Sequence, residues 1–500
     1  MLWVAIHLPA LSLETFAGTL APELRQAPLA LLDGQHISNA NPAAQALGVK
    51  PGIKRGTALA LAPQLTLGEI DAQRDALAQA AVAYAALAFT PSVTLEESDV
   101  LLEMRASLRY FGGLPSLLQR LQQALLPLGH QTQLASAPTA LGAAYLARWR
   151  GDLLLGAHSQ DRQALAQLLN RAPVALLAPL RAHQEDLQAM GLRSIVELRK
   201  LPRAGLARRF GEALLGDLDR ALGLQPDPRD WLVLPQAFEQ RLELFARADS
   251  TEQVLQGAAI LLARLVAWAQ ARHARVQRFE LQMLHEARQR RGEATHTVVE
   301  VALAQASIDA AHLQLLLRER LGRATLAAPA LELRLHCADV VLGEPPNGEL
   351  FPTQRSQQEG VLRLIERLQA RLGHDQVLQL QTVADHRPER ATVLRPWRAQ
   401  SGRRAPAVLP PPGCTQPVWL LPEPQALTER DDAPVLEGQV LLLVSGPERI
   451  EAGWWDGAGV ARDYYIAMRP GGALVWVFRA RLALPACDRA SGWFLQGRFA

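Results

Sequence analysis

The sequence predicts an α+β multidomain chain, and three observations carry that expectation. Short apolar strands are mixed with Ala/Leu-rich helices over the first third. Strand-like and long helical stretches alternate between residues 236 and 395. A Trp-, Gly- and Tyr-rich end then follows a Pro/Arg-rich segment. At 500 residues the chain exceeds one core, and three to five domains are expected.

Taken in order, Leu2–Leu8 is an apolar strand running into a turn and a helix that contains Glu14. Asp71–Ala88 is strongly periodic and reads as a helix, and Leu114–Leu128 reads as another. Ser92–Arg105 reads as strands around an acidic segment, and Tyr110-Phe111-Gly112-Gly113 as the turn before the second helix. Residues 166–235 are Leu-rich and helical with short connections. Beyond them, Phe238–Phe245, Phe279–Leu284, Thr297–Val301 and Ala330–Cys337 read as strands. Thr251–Arg272, Ser307–Leu321 and Gln354–Leu372 read as helices. The segment 396–413 belongs to a stretch with five prolines and four arginines (Arg395–Gly413), which suits a semi-rigid linker rather than a core. Residues 414–500 are expected to form a small β-rich domain.

Charged residues make up 20% and hydrophobic residues 49%, which is ordinary for a globular protein. A formal charge of +3 announces no global attraction to nucleic acid, so any binding must come from local patches. The basic side chains are almost all arginine; Lys50, Lys54 and Lys200 are the only lysines. Cys337, Cys414 and Cys487 lie far apart without zinc spacing, so neither a disulfide framework nor a metal cluster is expected, and no cofactor. No basic leader followed by an apolar run and no long uncharged apolar segment is present. The expectation is a cytoplasmic, nucleoid-associated protein with no membrane span.

The motifs carry more. Asn39–Ile53 contains Gly48-Val49-Lys50-Pro51-Gly52-Ile53, and Thr94–Met104 contains Glu96-Glu97-Ser98-Asp99 followed by Leu102-Glu103. Met190–Gly211 has the spacing of two short helices around a Pro/Gly turn. Together these resemble the Y-family (translesion) DNA polymerases. The resemblance implies a right hand: palm and fingers in 1–165 (fingers about 18–75), a helix-hairpin-helix thumb in 166–235, and a little finger in 236–395.

It also implies where polymerase chemistry has gone. Ala5 and His7 stand where the first strand of active relatives carries carboxylates, and Mg²⁺ prefers hard oxygen ligands to a methyl or an imidazole. Pro42 and Gln45 stand where a Tyr and an Arg grip the incoming triphosphate. Ala10 replaces the aromatic that screens the sugar, and Ala144 a lysine that meets the triphosphate. In the palm, matching Leu102-Glu103 puts Ser98 and Asp99 at the catalytic acid pair; a slip of one residue brings in Glu97 instead. Two-metal phosphoryl transfer needs several carboxylates, so these positions are expected to be degenerate and no catalytic residue is assigned. The alternative is an active low-fidelity polymerase using Asp99, Glu97 and unusual ligands.

The expected DNA-holding residues remain. In the thumb they are Arg193, Lys200, Arg203, Gly205, Arg208 and Arg209, with Glu197 the acid among them. In the little finger they are Arg272, Arg275 and Arg278. Such contacts hold the backbone of primer-template DNA without reading sequence. Asn347, Glu349, Leu350 and Phe351 resemble a bacterial sliding-clamp motif with Asn in place of Gln. Finally, Ser445–Gly457, Val460–Tyr465 and Gly492–Ala500 resemble the C-terminal region of the catalytically inactive Y-family homologues of bacterial SOS mutagenesis cassettes. Arg449, Trp454, Trp455, Arg462, Asp463 and Tyr464 are the expected partner-binding residues there. That resemblance implies an error-prone C-family DNA polymerase and a RecA-like accessory protein as partners.

Overall fold

The computed structural model describes residues 1–150, 158–159, 161–285, 295–326, 328–343, 354–398, 416–481 and 492–499. They divide into two compact units, Met1–Arg371 and Leu372–Ala500.

The first unit begins with β1 (Trp3–His7), α1 (Leu11–Gly18), β2 (Leu29–Asp33), β3 (His36–Ala40), α2 (Pro42–Ala46), α3 (Arg55–Leu61) and β4 (Thr66–Glu69). Next come α4 (Ala72–Leu87), β5 (Val93–Glu96), β6 (Asp99–Glu103), α5 (Leu114–Leu125), β7 (Gln133–Ala137) and α6 (Ala140–Arg150). The first sheet has the order β5-β6-β1-β7 and is antiparallel throughout. Its two faces bury different residues, as a period of two requires. Val4, Ile6, Val100 and Leu102 face a core shared with α4 and α5. Trp3, Ala5 and Leu101 face a core shared with the small residues of α6. A smaller sheet, β3-β2-β4, carries the expected fingers around its own core. The expected helix 114–128 ends at Leu125 and continues as a tighter turn over Leu126–Leu128, where Pro127 lacks the donor an α-helix needs.

Helices α7 (Arg162–Asn170), α8 (Gln184–Ala189), α9 (Ile195–Arg199), α10 (Arg203–Phe210) and α11 (Glu212–Leu222) follow and pack on the α6 side. The next layer holds β8 (Phe238–Ala248), α12 (Thr251–Ala271), β9 (Ala274–His285), β10 (His296–Ser307), α13 (Ala310–Leu321), β11 (Ala330–Leu342) and α14 (Gln354–Leu372). The sheet order is β10-β9-β11-β8, antiparallel. Strand β9 is longer than expected because Arg275 and Gln277 alternate with buried Ala274, Val276 and Phe279.

Among the described residues one helix, α12, is long and apolar enough to cross a membrane by length and composition. It is instead mostly buried between the sheet and α4, and it carries the buried Arg264, whose Nη1 donates to Gln240 Oε1 at 3.1 Å. Burial pulls that guanidinium down to about 10. The thiol of Cys337 is pushed up to about 12 by burial, which makes it inert.

The second unit contains the hairpin β12 (Leu378–Thr382) and β13 (Thr392–Pro396), then β14 (Trp419–Ala426), β15 (Thr428–Arg430), β16 (Ala433–Leu436), β17 (Gln439–Val440), β18 (Leu442–Ala452), β19 (Val460–Met468), β20 (Leu474–Ala480) and β21 (Trp493–Arg498). Its main sheet runs β14-β21-β20-β19-β18. The sequence reading put residues 378–395 at the end of the little finger; here the hairpin groups with the C-terminal sheet. The physical reason is Arg387, 2% exposed, whose guanidinium meets Asp385, Asp456 (Nη2 to Oδ2 2.6 Å) and the carbonyl of Ala458. Most of the expected linker, 399–413, lies outside the described residues.

Candidate functional site

The candidate site forms where β1, β6 and the last turn of α6 converge. Residue His7 pairs across the sheet with Asp99, and Ala5 with Leu101. The Asp99 side chain is fully buried. Its Oδ1 lies 2.6 Å from His7 Nδ1, and its Oδ2 accepts from Arg148 Nε at 2.8 Å. The amide of Gln79 on α4 donates to the carbonyls of Glu97 and Asp99 and fixes the β5–β6 turn, where Glu97 has φ 45°. That turn swings the Glu97 carboxylate to 3.0 Å from Arg148 Nη2, and Arg181 Nη2 donates to the same oxygen at 3.0 Å. Ser98 lies in the turn itself, its carbonyl accepting from Leu8 N–H.

The chain is therefore His7–Asp99–Arg148–Glu97–Arg181, with one buried guanidinium between two carboxylates. Burial opposes the Arg148 charge, but Asp99 and then Glu97 outweigh it and raise its pKa. For Glu97, burial pushes up, yet Arg148 and Arg181 together hold the carboxyl below its usual value. Tyr145, one turn before Arg148, is raised chiefly by burial and next by Asp217, so it stays neutral. Ala5 and Ala144 are buried in one apolar cluster. Sequence reasoning missed Arg148 and Arg181. The acid-free stretch around Arg148 offered a signal, but only the fold shows which acids it reaches.

The neighbouring acids are also engaged. Glu96 is ion-paired with Arg229. Glu103 accepts from the N–H of Leu2 at 3.2 Å, and Glu14 from the N–H of Gln131 at 3.1 Å. In the expected fingers, Pro42 is the first residue of α2, where its missing N–H costs nothing, and Asn41 caps that helix. The Gln45 amide turns back to the carbonyl of Ala40 at 2.7 Å. Glycines 48 and 52 both have φ 90°, which explains the Gly-Val-Lys-Pro-Gly frame as turn chemistry.

In the expected thumb, Arg193, Lys200, Arg203, Gly205, Arg208 and Arg209 are all exposed. The acid among them is occupied: Glu197 Oε2 accepts from the N–H groups of Arg193 (2.7 Å) and Ser194 (2.9 Å), closing a capping box on α9, and those bonds lower its pKa. Arg203 forms a two-pronged pair with Asp219 at 3.0 and 2.6 Å, which sets it apart from Arg208. In the third layer, Arg272 donates to the carbonyls of Pro235 and Gln236 and lies over Trp268, so it ties a chain connection to α12. Arg278 is half exposed between Glu300 and Asp339, each 3.6 Å away. Arg275 is partly buried in a cavity of about 290 Å³ beside His312 and Glu366.

The clamp-like residues Asn347, Glu349, Leu350 and Phe351 lie outside the described residues. Among the C-terminal residues, Trp454 and Trp455 are 79% and 55% exposed on a turn. Arg449 pairs with Asp463 across β18–β19 at 2.8 Å. Two of the expected residues face inward. Tyr464 is 1% exposed and stacks on Trp476 at 4.2 Å. Arg462 is held by Glu389 and the Tyr464 hydroxyl over the ring of Phe478. Tyr464 belongs to the aromatic core of the second unit and Arg462 lies at its rim, because β19 turns that face inward.

Residues 13–144 match the family described as impB/mucB/samB. The chain is 29% identical over 476 residues to proteins named Protein ImuB from two strains of Caulobacter vibrioides, covering 91% of this chain and 100% of theirs. Among solved structures, the ternary complex of Dbh aligns with 68% of this chain at 15% identity and a TM-score of 0.36. DinB from Sulfolobus solfataricus aligns with 69% at 15% and 0.36. Residues 13–144 of this α+β chain thus match the impB/mucB/samB family, and the chain is similar to Protein ImuB along nearly its whole length.

Proposed function

We propose that this chain is a non-catalytic, polymerase-like scaffold in DNA damage tolerance and SOS mutagenesis. The single observation that carries the reading is the closed pseudo-active site. Both oxygens of Asp99 are taken by His7 and Arg148, and Ala5 and Ala144 pack apolar surface where the resemblance puts a metal ligand and a phosphate contact. A guanidinium already neutralises the carboxylates that phosphoryl transfer would use to clamp two metal ions.

The remaining parts suit holding and tethering. The exposed thumb arginines grip the backbone of primer-template DNA, Leu350 and Phe351 dock on the sliding clamp, and the C-terminal unit recruits an error-prone C-family polymerase and a RecA-like accessory protein. Tethering raises a partner's effective concentration at the primer end without any chemistry by the scaffold.

Primer extension on undamaged and lesioned template, with Mg²⁺ or Mn²⁺, tests this. The expected result is no extension by the chain alone and stimulated bypass when clamp and C-family polymerase are added. Metal-dependent extension by the chain alone, abolished by Asp99→Ala, would instead make it a low-fidelity polymerase. Clamp binding unchanged by Leu350→Ala with Phe351→Ala would remove the tether.

A further inference from the structure

The Tyr110-Phe111-Gly112-Gly113 turn is not used by the reading above. It follows β6, which starts at Asp99 and ends at Glu103, so it lies at the opposite end of the first sheet from the pseudo-active site. At about 3.4 Å per residue the two ends of β6 are roughly 14 Å apart. The turn is firmly built. Gly112 and Gly113 have φ 77° and 101°, and Gly113 N–H donates back to the carbonyl of Leu108 at 2.8 Å. Phe111 is anchored on Phe89, ring centres 5.2 Å apart, and Tyr110 meets Phe111 edge to face at 4.9 Å. The Tyr110 ring is thereby held out in solvent, 84% exposed. An aromatic held out on a rigid turn is costly surface unless something covers it.

The sequence that flanks it carries one sign of charge. From Met104 to Gly151 the sequence contains no Asp or Glu. Arg105, Arg109 and Arg120 are exposed, and among the described residues none of them is paired with a carboxylate. Arg120 lies 5.9 Å from the Phe111 ring centre, on the same patch. The nearby acid, Glu103, is turned away onto backbone N–H groups of Leu2 and Arg105.

We infer that this patch is a second nucleic-acid site, separate from the duplex-holding thumb, and that it takes single-stranded DNA. A base stacks on Tyr110, and flanking phosphates meet Arg105, Arg109 and Arg120. Free aromatic faces interleaved with unpaired cations suit an unpaired strand, whose bases are available for stacking. An acidic peptide would use the arginines but not the ring.

The test is fluorescence anisotropy of the full chain with labelled oligo-dT over a range of salt concentrations. Tyr110→Ala is expected to weaken oligo-dT binding about tenfold with the salt slope unchanged. Arg105→Ala with Arg109→Ala is expected to weaken it and to reduce the log–log salt slope by about 1.4. An oligo-dT carrying 4-thiothymidine should photo-crosslink within residues 105–120. Unchanged affinity in both variants, or crosslinks that avoid this segment, would overturn the proposal. So would a Tyr110→Ala effect absent while polyglutamate competes as well as oligo-dT, because the patch would then read charge alone. All these substitutions are on the surface, and an unchanged thermal midpoint confirms folding. Duplex primer-template binding, measured in parallel, reports on the thumb, so failure of one site does not mimic failure of the other.

Discussion

Arg148 decides the character of the candidate site. A fully buried carboxylate such as Asp99 needs a counter-charge, and the last turn of α6 supplies one at 2.8 Å. Removing it leaves an uncompensated buried charge. Arg148→Met is therefore expected to destabilise the first unit by about 3–5 kcal/mol, whereas Asp99→Asn with Arg148→Met recovers most of that loss. Urea unfolding of the single and double variants checks both. The second unit offers a pH prediction. Arg387, then the N–H of Ala458, holds the Asp456 carboxyl at about 2 against an ordinary 3.8. Because the folded value is depressed, this contribution is complete above pH 4 or so and is lost as pH falls through about 2. Arg387 also lies 5.5 Å from the Trp455 ring. Tryptophan fluorescence of the second unit should be steady from pH 7 to 5 and change only below about pH 4.

At the scale of elements, helix termini and sheet faces determine which arginines are free. Helix α9 uses Glu197 in its capping box and α11 uses Asp219 to hold Arg203, so α10 presents Arg208 as open and Arg209 as exposed, with only a loose 4.0 Å approach to Asp186. Arg208→Ala with Arg209→Ala is expected to weaken primer-template binding and lower its salt slope by about 1.8. Arg203→Ala should chiefly lower the thermal midpoint, since Asp219 is 6% exposed and loses its partner. Comparing salt-dependent anisotropy with thermal melts separates the two roles. Strand β19 shows the same division between two successive residues: Asp463 pairs outward with Arg449, while Tyr464 enters the core.

For the whole molecule, the boundary of the second unit is the main consequence. The hairpin β12–β13 reaches the C-terminal sheet through Arg387, and Gly453 leaves room for that guanidinium: its φ is 87°, and an added Cβ would lie 2.5 Å from Arg387 Nη1. A fragment starting at Leu372 is expected to unfold cooperatively in urea. One starting at Cys414 is expected to unfold at lower denaturant with a shallower transition. Equal behaviour of the two fragments would show that the hairpin contributes nothing to this unit.

The sequence by itself determined the α+β class, the order of most elements and the spacing of two short helices around a Pro/Gly turn. It also determined that apolar or neutral residues stand at Ala5, Pro42, Gln45 and Ala144. Those are local properties: periodicity, turn residues and the identity of a side chain at a motif position all survive without knowledge of neighbours. Only the tertiary structure decided that Arg148 engages the carboxylates of Asp99 and Glu97, that Arg203 is held by Asp219 while Arg208 stays open, and that Tyr464 is core while Trp454 is surface. It alone moved the β12–β13 hairpin into the second unit. Each of these is a pairing between residues distant in sequence, or a choice between two faces of one strand. Charge pattern names the candidates for such a pairing, but burial and distance select among them.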